Sequence, residues 1–307
     1  IMLKDIVRFY NYALSYNKEY KNIETLEKFL KRFNFSKYFC NYHLIPMASS
    51  IWSSPEEEIL KFPINSMLDF YKNHELLSFI NRPQWMTISG GSKKYVESLI
   101  KKLKTNKNNK LYLNKEILEI VIKNNKKFLL DKKGYKYDFD IIVLANHTDE
   151  ASDIIKNYDK KVHSLLKKFR YQKNVAFLHT DKTLMPINKN IWSSWNYLTN
   201  VSNKKSSVTY WMNKLQDLKT KEEIFVTLNP SKIPKNEKIL KVMNYHHPIY
   251  DHHALNSQKQ IEKFQGVNNV FYAGAWNGYG FHEDGVKSAL KICDLLNIKI
   301  DFQNEPD

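Results

Sequence analysis

Cysteine is nearly missing from this chain of 307 residues: only Cys40 and Cys293 occur, far apart and in no C-x-x-C. That excludes a disulfide scaffold and a thiolate zinc site, and it points to a reducing, cytoplasmic setting. No apolar run approaches the roughly 18 residues that a membrane-crossing helix needs. Glycine is scarce as well, with eight residues and none before Gly90. Arginine occurs only at Arg8, Arg32, Arg82 and Arg170, so almost all of the 48 basic residues are lysine. What is abundant is apolar and aromatic: 42% and 14% of the chain, with 17 Phe, 19 Tyr and 6 Trp. Such a composition excludes a disordered tail protein and suffices for two ordinary domains or one large one.

The formal net charge is +16. Base and phosphate readers rely on the planar fork of arginine, whereas these lysines are spread over the whole chain. Together with plentiful Asn and Ile they read as a compositional bias. Attraction to an anionic membrane surface ranks next, and nucleic acid, supported by charge alone, ranks last. The chain begins Ile1-Met2 and shows no secretory signal pattern. The motifs below favour its being the downstream part of a longer chain.

Residues 2 to about 33 have helical periodicity, through Leu3, Ile6, Val7, Tyr10, Ala13 and Leu14, and again through Leu26, Phe29, Leu30 and Phe33. Helices are expected after Pro55 and over 65–71. The segment His43 to Trp52 is apolar without a period and reads as a buried loop or pocket wall. From residue 85 strand and helix alternate. Trp85–Ile88 is strand-like, Ser92 is placed to cap a helix with Tyr95, Leu99, Ile100 and Leu103 on one face, and Leu111–Leu113, Ile117–Ile122 and Phe128–Leu130 form a meander with turns near Asn124 and Gly134. Phe139–Ala145 is almost continuously apolar, as in a central parallel strand covered on both faces. Strands at Val175–Leu178, Val208–Met212 and Ile224–Leu228 suggest an antiparallel sheet. Val270–Ala273 is a strand followed by a loop, then a helix expected to bury Val286, Ala289, Leu290, Cys293 and Leu296.

Half of the glycines, Gly274, Gly278, Gly280 and Gly285, fall in that loop. Glycine there means that the backbone needs positive φ or close approach to another group, and a strand-to-helix turn aims backbone N–H groups at its crevice. Glu283 and Asp284 suit a helix start but repel a pyrophosphate, so an uncharged group such as a flavin carbonyl fits better. No G-x-G-x-x-G with its acidic ribose partner exists in the chain.

The segments Pro46–Ser53, Arg82–Ser92, Trp192–Tyr197, Val208–Asn213 and Gly274–Gly285 resemble a bacterial family of NAD/FAD-binding proteins similar to flavin-containing amine oxidases and protoporphyrinogen oxidase. The resemblance runs in order over nearly the whole chain. It implies an α/β (α+β) flavoprotein: a glutathione-reductase-like FAD-binding domain, its amino-terminal βαβ unit absent here, with an inserted substrate domain of antiparallel sheet plus helices. The implied division is 1–84 and 161–265 for the substrate domain, and 85–160 and 266–300 for the FAD domain. Ile117 matches the position whose backbone meets the adenine end. Gly274, Ala275, Trp276, Gly278, Gly280, Asp284, Gly285 and Val286 match the segment beside the isoalloxazine and ribityl chain, with the helix N-terminus at Val286 facing the flavin N1–C2=O edge. Because the glycine fingerprint for the pyrophosphate would precede Ile1, this chain by itself is expected to bind FAD weakly or not at all.

The His246–His247 and His252–His253 pairs lack carboxylate or thiolate partners at ligand spacing except Asp251, so no metal site is expected. Trp192, Trp195 and Trp211 are candidates for the wall of an apolar substrate cavity. His147 and His179 are candidates for proton transfer, although structural roles suit both better, and no catalytic residue is assigned. The resulting expectation is the C-terminal part of an FAD-dependent oxidoreductase of the amine-oxidase-like superfamily, cytoplasmic or membrane-peripheral, acting on a small apolar or lipid-like substrate. A flavin-binding or degenerate scaffold without turnover is the alternative.

Overall fold

The computed structural model describes residues 1–15, 24–78, 84, 86–123, 126–200, 205–216 and 218–300. Trp85, the turn at Asn124 and the 16–23 portion of the expected amino-terminal helix lie outside them. Two compact units form: Ile1–Leu111 with Gln172–His247, and Tyr112–Tyr171 with Pro248–Asp307. The breaks thus fall at 111/112, 171/172 and 247/248, whereas the sequence places them at 84/85, 160/161 and 265/266.

Along the chain come helices α1 (Met2–Ser15), α2 (Leu26–Arg32), α3 (Lys37–Phe39), a π-turn at Cys40–Leu44, α4 (Ile45–Trp52), α5 (Glu56–Leu60), α6 (Ile64–Asn73) and α7 (Lys93–Thr105). Strands β1 (Ile117–Lys123), β2 (Lys126–Asp131), β3 (Lys136–Asp138) and β4 (Ile142–Leu144) follow, then α8 (Thr148–Ile155) and α9 (Lys160–Leu166). Next are β5 (Arg170–His179), β6 (Trp195–Asn200), β7 (Lys205–Trp211), α10 (Met212–Leu215), β8 (Phe225–Leu228) and β9 (Ile239–Ile249). The chain then runs through α11 (His252–Ile261), β10 (Val270–Tyr272) and α12 (His282–Leu295).

In the first unit, α1 buries Ile6, Phe9, Tyr10 and Ala13 at helical spacing, and Phe9 meets Phe29, Phe35, Phe39 and Tyr71 within 6.2 Å or less between ring centroids. Aromatic edges packed on faces supply both apolar area and geometric preference. The segment expected as a loop at 43–52 is helical instead. It is buried around its circumference (Ile45, Ala48, Ser49 and Trp52 among others), so it carries no stripe for a periodicity test to detect. Ser53 ends α4 in the left-handed region, with φ 49°. The Ser54 N–H donates back to the Ser49 carbonyl at 3.2 Å, and Pro55 opens α5. The five-stranded sheet has the order β6-β7-β8-β5-β9, with antiparallel pairing of β6 with β7, β7 with β8 and β8 with β5, as its polar-loop spacing suggested. Strand β9 was not anticipated, because its alternation is carried by Lys, Asn and His and most of it is exposed.

The second unit holds the antiparallel meander β1-β2-β3 and a parallel pair, β4 with β10. Their apolar faces pack with α8, α9 and α11 around Ile120, Ile142, Ile155, Leu166, Val270, Tyr272 and Trp276. Several expectations are corrected in β4 and in the stretch 86–113. Strand β4 is not covered on both faces: Val143 is 45% exposed, and among the described residues β10 is its only strand partner. Met86–Ile88 and Leu111–Leu113 form no strand, and their apolar side chains stand largely in solvent. Helix α7 buries none of its residues, and Ser92 makes no side-chain cap.

Helix α12 also presents a different face from the expected one. Ser288 and Ile292 are buried, while Val286 is 51% exposed and Ala289 is exposed. The cause is a polar anchor: the Ser288 hydroxyl donates to the Gly285 carbonyl at 2.7 Å and accepts the Gly274 N–H at 2.9 Å. That pair turns the Ser288–Ile292 stripe inward, where Ile292 packs with Phe271 and Ala273.

Candidate functional site

The glycine loop leaves β10 and folds back on itself. Asp284, in the first turn of α12, accepts the N–H groups of Tyr279 (2.9 Å) and Phe281 (3.0 Å) on one carboxylate oxygen. The N–H groups of Gly278 and Gly280 both donate to the Ala275 carbonyl at 3.1 Å. Gln258 on α11 closes the other side, its amide donating to the carbonyls of Trp276 (2.6 Å) and Gly278 (2.8 Å). Gln258 carries no motif and was invisible to sequence reasoning.

Three of the four loop glycines are explained by packing inside the loop. A Cβ at Gly274 (φ 141°) would lie 2.6 Å from the indole nitrogen of Trp276, one at Gly278 2.3 Å from the Asp284 carboxylate, and one at Gly280 (φ 94°) 2.7 Å from the Tyr250 hydroxyl. Gly285 differs, since a Cβ there would meet nothing nearer than the Ala275 nitrogen at 3.8 Å. The Ala275 N–H, beside that position, has no hydrogen-bond acceptor among the described residues. Ala275 and Gly285 therefore form a small, uncharged cradle with one free donor. The helix start lies at His282 and not at Val286, whose N–H is already in the second turn.

The Trp276 side chain is buried and is not available as a ligand wall. Its ring stands edge-on to Phe169 at 5.3 Å, and its Nε1–H donates to the Asn146 carbonyl at 3.2 Å. Tyr250 is buried beneath Gly280 with an unpartnered hydroxyl, and burial first, then Tyr171 and Asp284, raise its pKa.

Ile117 lies on a groove of about 740 Å³ that follows β4 and includes Leu118, Leu129, Phe139, Val143 and Asn146. The Asn146 side-chain oxygen is buried without a partner. Glu116, Glu150 and Asp153 also line the groove, against a single cation among the described residues, Lys115, which is itself bonded to Asp131 and Tyr137. The edges of the parallel pair differ. Along β10 the Gln265 side chain brackets Tyr272 with two hydrogen bonds of 2.8 and 2.9 Å, and Gly266 donates to Val270. Along β4 the edge opens onto the groove.

A second cavity, of about 700 Å³, lies in the first unit. Register aligns Tyr197, Val208 and Leu228 in one cross-strand row, and these residues line it with Phe177, Ser49 and Glu56. None of the three tryptophans proposed as pocket walls lines either cavity. Trp192 and Trp211 pack edge-to-face at 5.4 Å in a small core with Met185 and Phe225, while Trp195 is half-exposed against Tyr210.

His179 is sealed in a hydrogen-bonded chain. Its Nδ1 accepts the Asp181 N–H (3.0 Å), which leaves Nε2–H to donate to Thr227 (2.7 Å); Thr227 donates to Thr209 (2.8 Å), and Thr209 to the Leu184 carbonyl (3.2 Å). Every donor in the chain is used, and burial lowers the imidazole pKa, so this histidine is structural and neutral. His147 precedes α8 and stacks on Tyr171 at 4.8 Å. The paired histidines separate: His247 meets Asn174 at 2.7 Å, and His252 and His253 open α11. Among the described residues no group of three or more His, Cys, Asp or Glu is placed to hold a metal ion, and no helix is long and apolar enough to cross a membrane.

The described residues fit an uncharged, hydrogen-bond-accepting end of a flavin at Ala275 and Gly285. They do not fit its pyrophosphate, because the groove is acidic and the N–H groups of Gly278, Tyr279, Gly280 and Phe281 are spent within the loop.

No family model and no curated protein sequence matches the chain. Solved structures do. A CLA-producing fatty acid isomerase from P. acnes aligns over 96% of this chain and 74% of its own, with a TM-score of 0.60 and 11% identity. An oxidoreductase from Methanosarcina mazei aligns over 97% and 73%, with a TM-score of 0.63 and 12% identity. A putrescine oxidase redesigned in its cofactor binding aligns over 96% and 76%, with a TM-score of 0.65 and 11% identity. At these identities the likeness concerns architecture: a mixed helix-and-sheet chain with the fold of FAD-dependent, amine-oxidase-like oxidoreductases over most of its length.

Proposed function

We propose that this chain serves an FAD-dependent oxidation of a small apolar or lipid-like substrate. The first unit supplies the substrate cavity, and the second supplies the loop that meets the flavin. The observation that carries this reading is the Ala275–Gly285 cradle, a free N–H beside a glycine that packing does not require. A bound flavin would supply the electron acceptor, and this chain's part is to orient it and to keep the loop rigid through Asp284 and Gln258. The pyrophosphate contacts come from polypeptide laid along the open β4 edge, where Leu118, Phe139, Ile141 and Val143 stand exposed.

A scaffold that never binds flavin is the second reading, favoured by the acidic groove. Absorbance spectra after gel filtration with FAD separate the two. The purified chain should emerge colourless, and flavin bands should persist once a glycine-rich βαβ unit is added. Val143→Glu on the β4 edge should prevent that gain without unfolding the chain. Stoichiometric flavin on the chain alone would refute the assignment of the pyrophosphate to added polypeptide. No flavin under any of these conditions would leave the scaffold reading standing and overturn the oxidoreductase one.

A further inference from the structure

The first-unit cavity has a chemistry at odds with the rest of the protein. The chain carries a net charge of +16 and nearly all of its cations are lysines, yet among the described residues no Lys, Arg or His lines this space. Two carboxylates do, Glu56 and Glu57, in the first turn of α5. Tyr197 donates its hydroxyl to Glu56 at 3.0 Å, which holds that carboxylate at the wall as an acceptor. Apolar side chains from the sheet, Phe177, Val208 and Leu228, form the opposite lining. A volume of about 700 Å³ falls in the range of small-molecule sites.

The cavity also contains an unfinished hydrogen bond. Ser49 is only 5% exposed, lines the cavity and has a hydroxyl without any partner. A buried hydroxyl left unpaired costs about 1–3 kcal/mol, and a ligand's polar atom would complete it. The backbone explains why these groups converge. The left-handed turn at Ser53 and the Ser54-to-Ser49 hydrogen bond fold α5 back against the end of α4, so the serines and the two glutamates share one corner.

We propose that this cavity binds an apolar molecule with a hydrogen-bonding, non-anionic head, and that Glu56 and Glu57 are the specificity residues that exclude anionic amphiphiles. The protein's overall positive charge would draw such anions to its surface, and the carboxylates keep them out of the cavity. The inference names the substrate class for the oxidation proposed above, but it stands on the first unit alone. Its readout is binding without flavin, so its failure and the failure of the flavin assignment are separate events.

The test uses the full chain and three probes of equal chain length: 1-octanol, octylammonium and octanoate. Binding is followed by calorimetry and by intrinsic tryptophan fluorescence. Octanol and octylammonium should bind, with octanoate at least about tenfold weaker, the size expected for charge repulsion near a protein surface. Either order between the first two supports the proposal and identifies the head as neutral or cationic. Glu56→Gln combined with Glu57→Gln should close the gap to octanoate, and Ser49→Ala should weaken octanol by several-fold. Glu57→Gln alone, at an exposed position, should narrow the gap with the fold intact by circular dichroism. Equal affinity for octanoate, an undiminished gap in the double variant, or no binding of any probe overturns the proposal.

Discussion

Gly274 and Gly285 carry the same expectation in the sequence, that of a glycine beside a cofactor, and the structure separates them by what each would meet as alanine. At Gly274 the backbone has φ 141°, a conformation that costs an L-residue about 1–3 kcal/mol. The new methyl carbon would also sit 2.6 Å from the Trp276 indole nitrogen. The ring must then move and lose its hydrogen bond to the Asn146 carbonyl, leaving a buried donor unpaired at about 1–3 kcal/mol. Gly274→Ala should therefore destabilise the second unit by about 2–6 kcal/mol, a large share of the roughly 5–15 kcal/mol that holds a typical domain folded. Gly285 is helical, and its methyl would make only an ordinary van der Waals contact, with the Ala275 nitrogen at 3.8 Å. Gly285→Ala should be neutral or gain about 0.5–1 kcal/mol by restricting the unfolded chain. Urea unfolding of both variants, followed by tryptophan fluorescence, measures the difference. A Gly274→Ala protein within about 1 kcal/mol of the parent, or a Gly285→Ala protein that loses more than that, would refute the reasoning. It would also remove the ground for treating Gly285 as the ligand-facing glycine.

Two further outcomes follow from the same contacts. Gly278→Ala should be severe alone and milder in an Asp284→Ala background, because the clash at 2.3 Å is with the Asp284 carboxylate; a double-mutant cycle by urea unfolding should give a coupling above about 1 kcal/mol, and additive losses would count against the loop geometry. His179 is kept neutral by burial, so the unfolded chain takes up a proton near pH 6.5 that the native state refuses. Stability should be full above that pH and fall as the pH drops below it towards the lowered native value, a slope that urea midpoints at successive pH values would show and that His179→Gln should flatten.

Much of the architecture was readable because it rests on local rules. The α1 stripe, the meander, the antiparallel run through β5, β7 and β8, and the β10-loop-α12 unit all follow from periodicity, turn residues and the clustering of four glycines. Composition alone identified a chain with material for two ordinary domains or one large one, and the loop glycines marked a place where backbone geometry is exacting. Local rules failed where burial or partners are decided at a distance. Residues 45–52 show no stripe because α4 is enclosed on every side. The apolar run at 139–145 reads as a covered strand, but coverage depends on a neighbour that no pattern within the run specifies. The inward face of α12 was set by one serine bonded across the loop, against the stripe that hydrophobicity suggested.

The sites divide in the same way. Sequence determined which loop is special and that no phosphate-binding fingerprint accompanies it, since both are statements about residue type and spacing. Only tertiary structure decided that Trp276 is core, that His179 is a neutral structural group, that Gly285 alone among the loop glycines has room for a side chain, and that two carboxylates and an orphaned serine share a cavity in a strongly basic protein. Each of these depends on which atoms lie within about 4 Å after the chain has folded, and hydrogen bonds and van der Waals contacts have no reach beyond that distance.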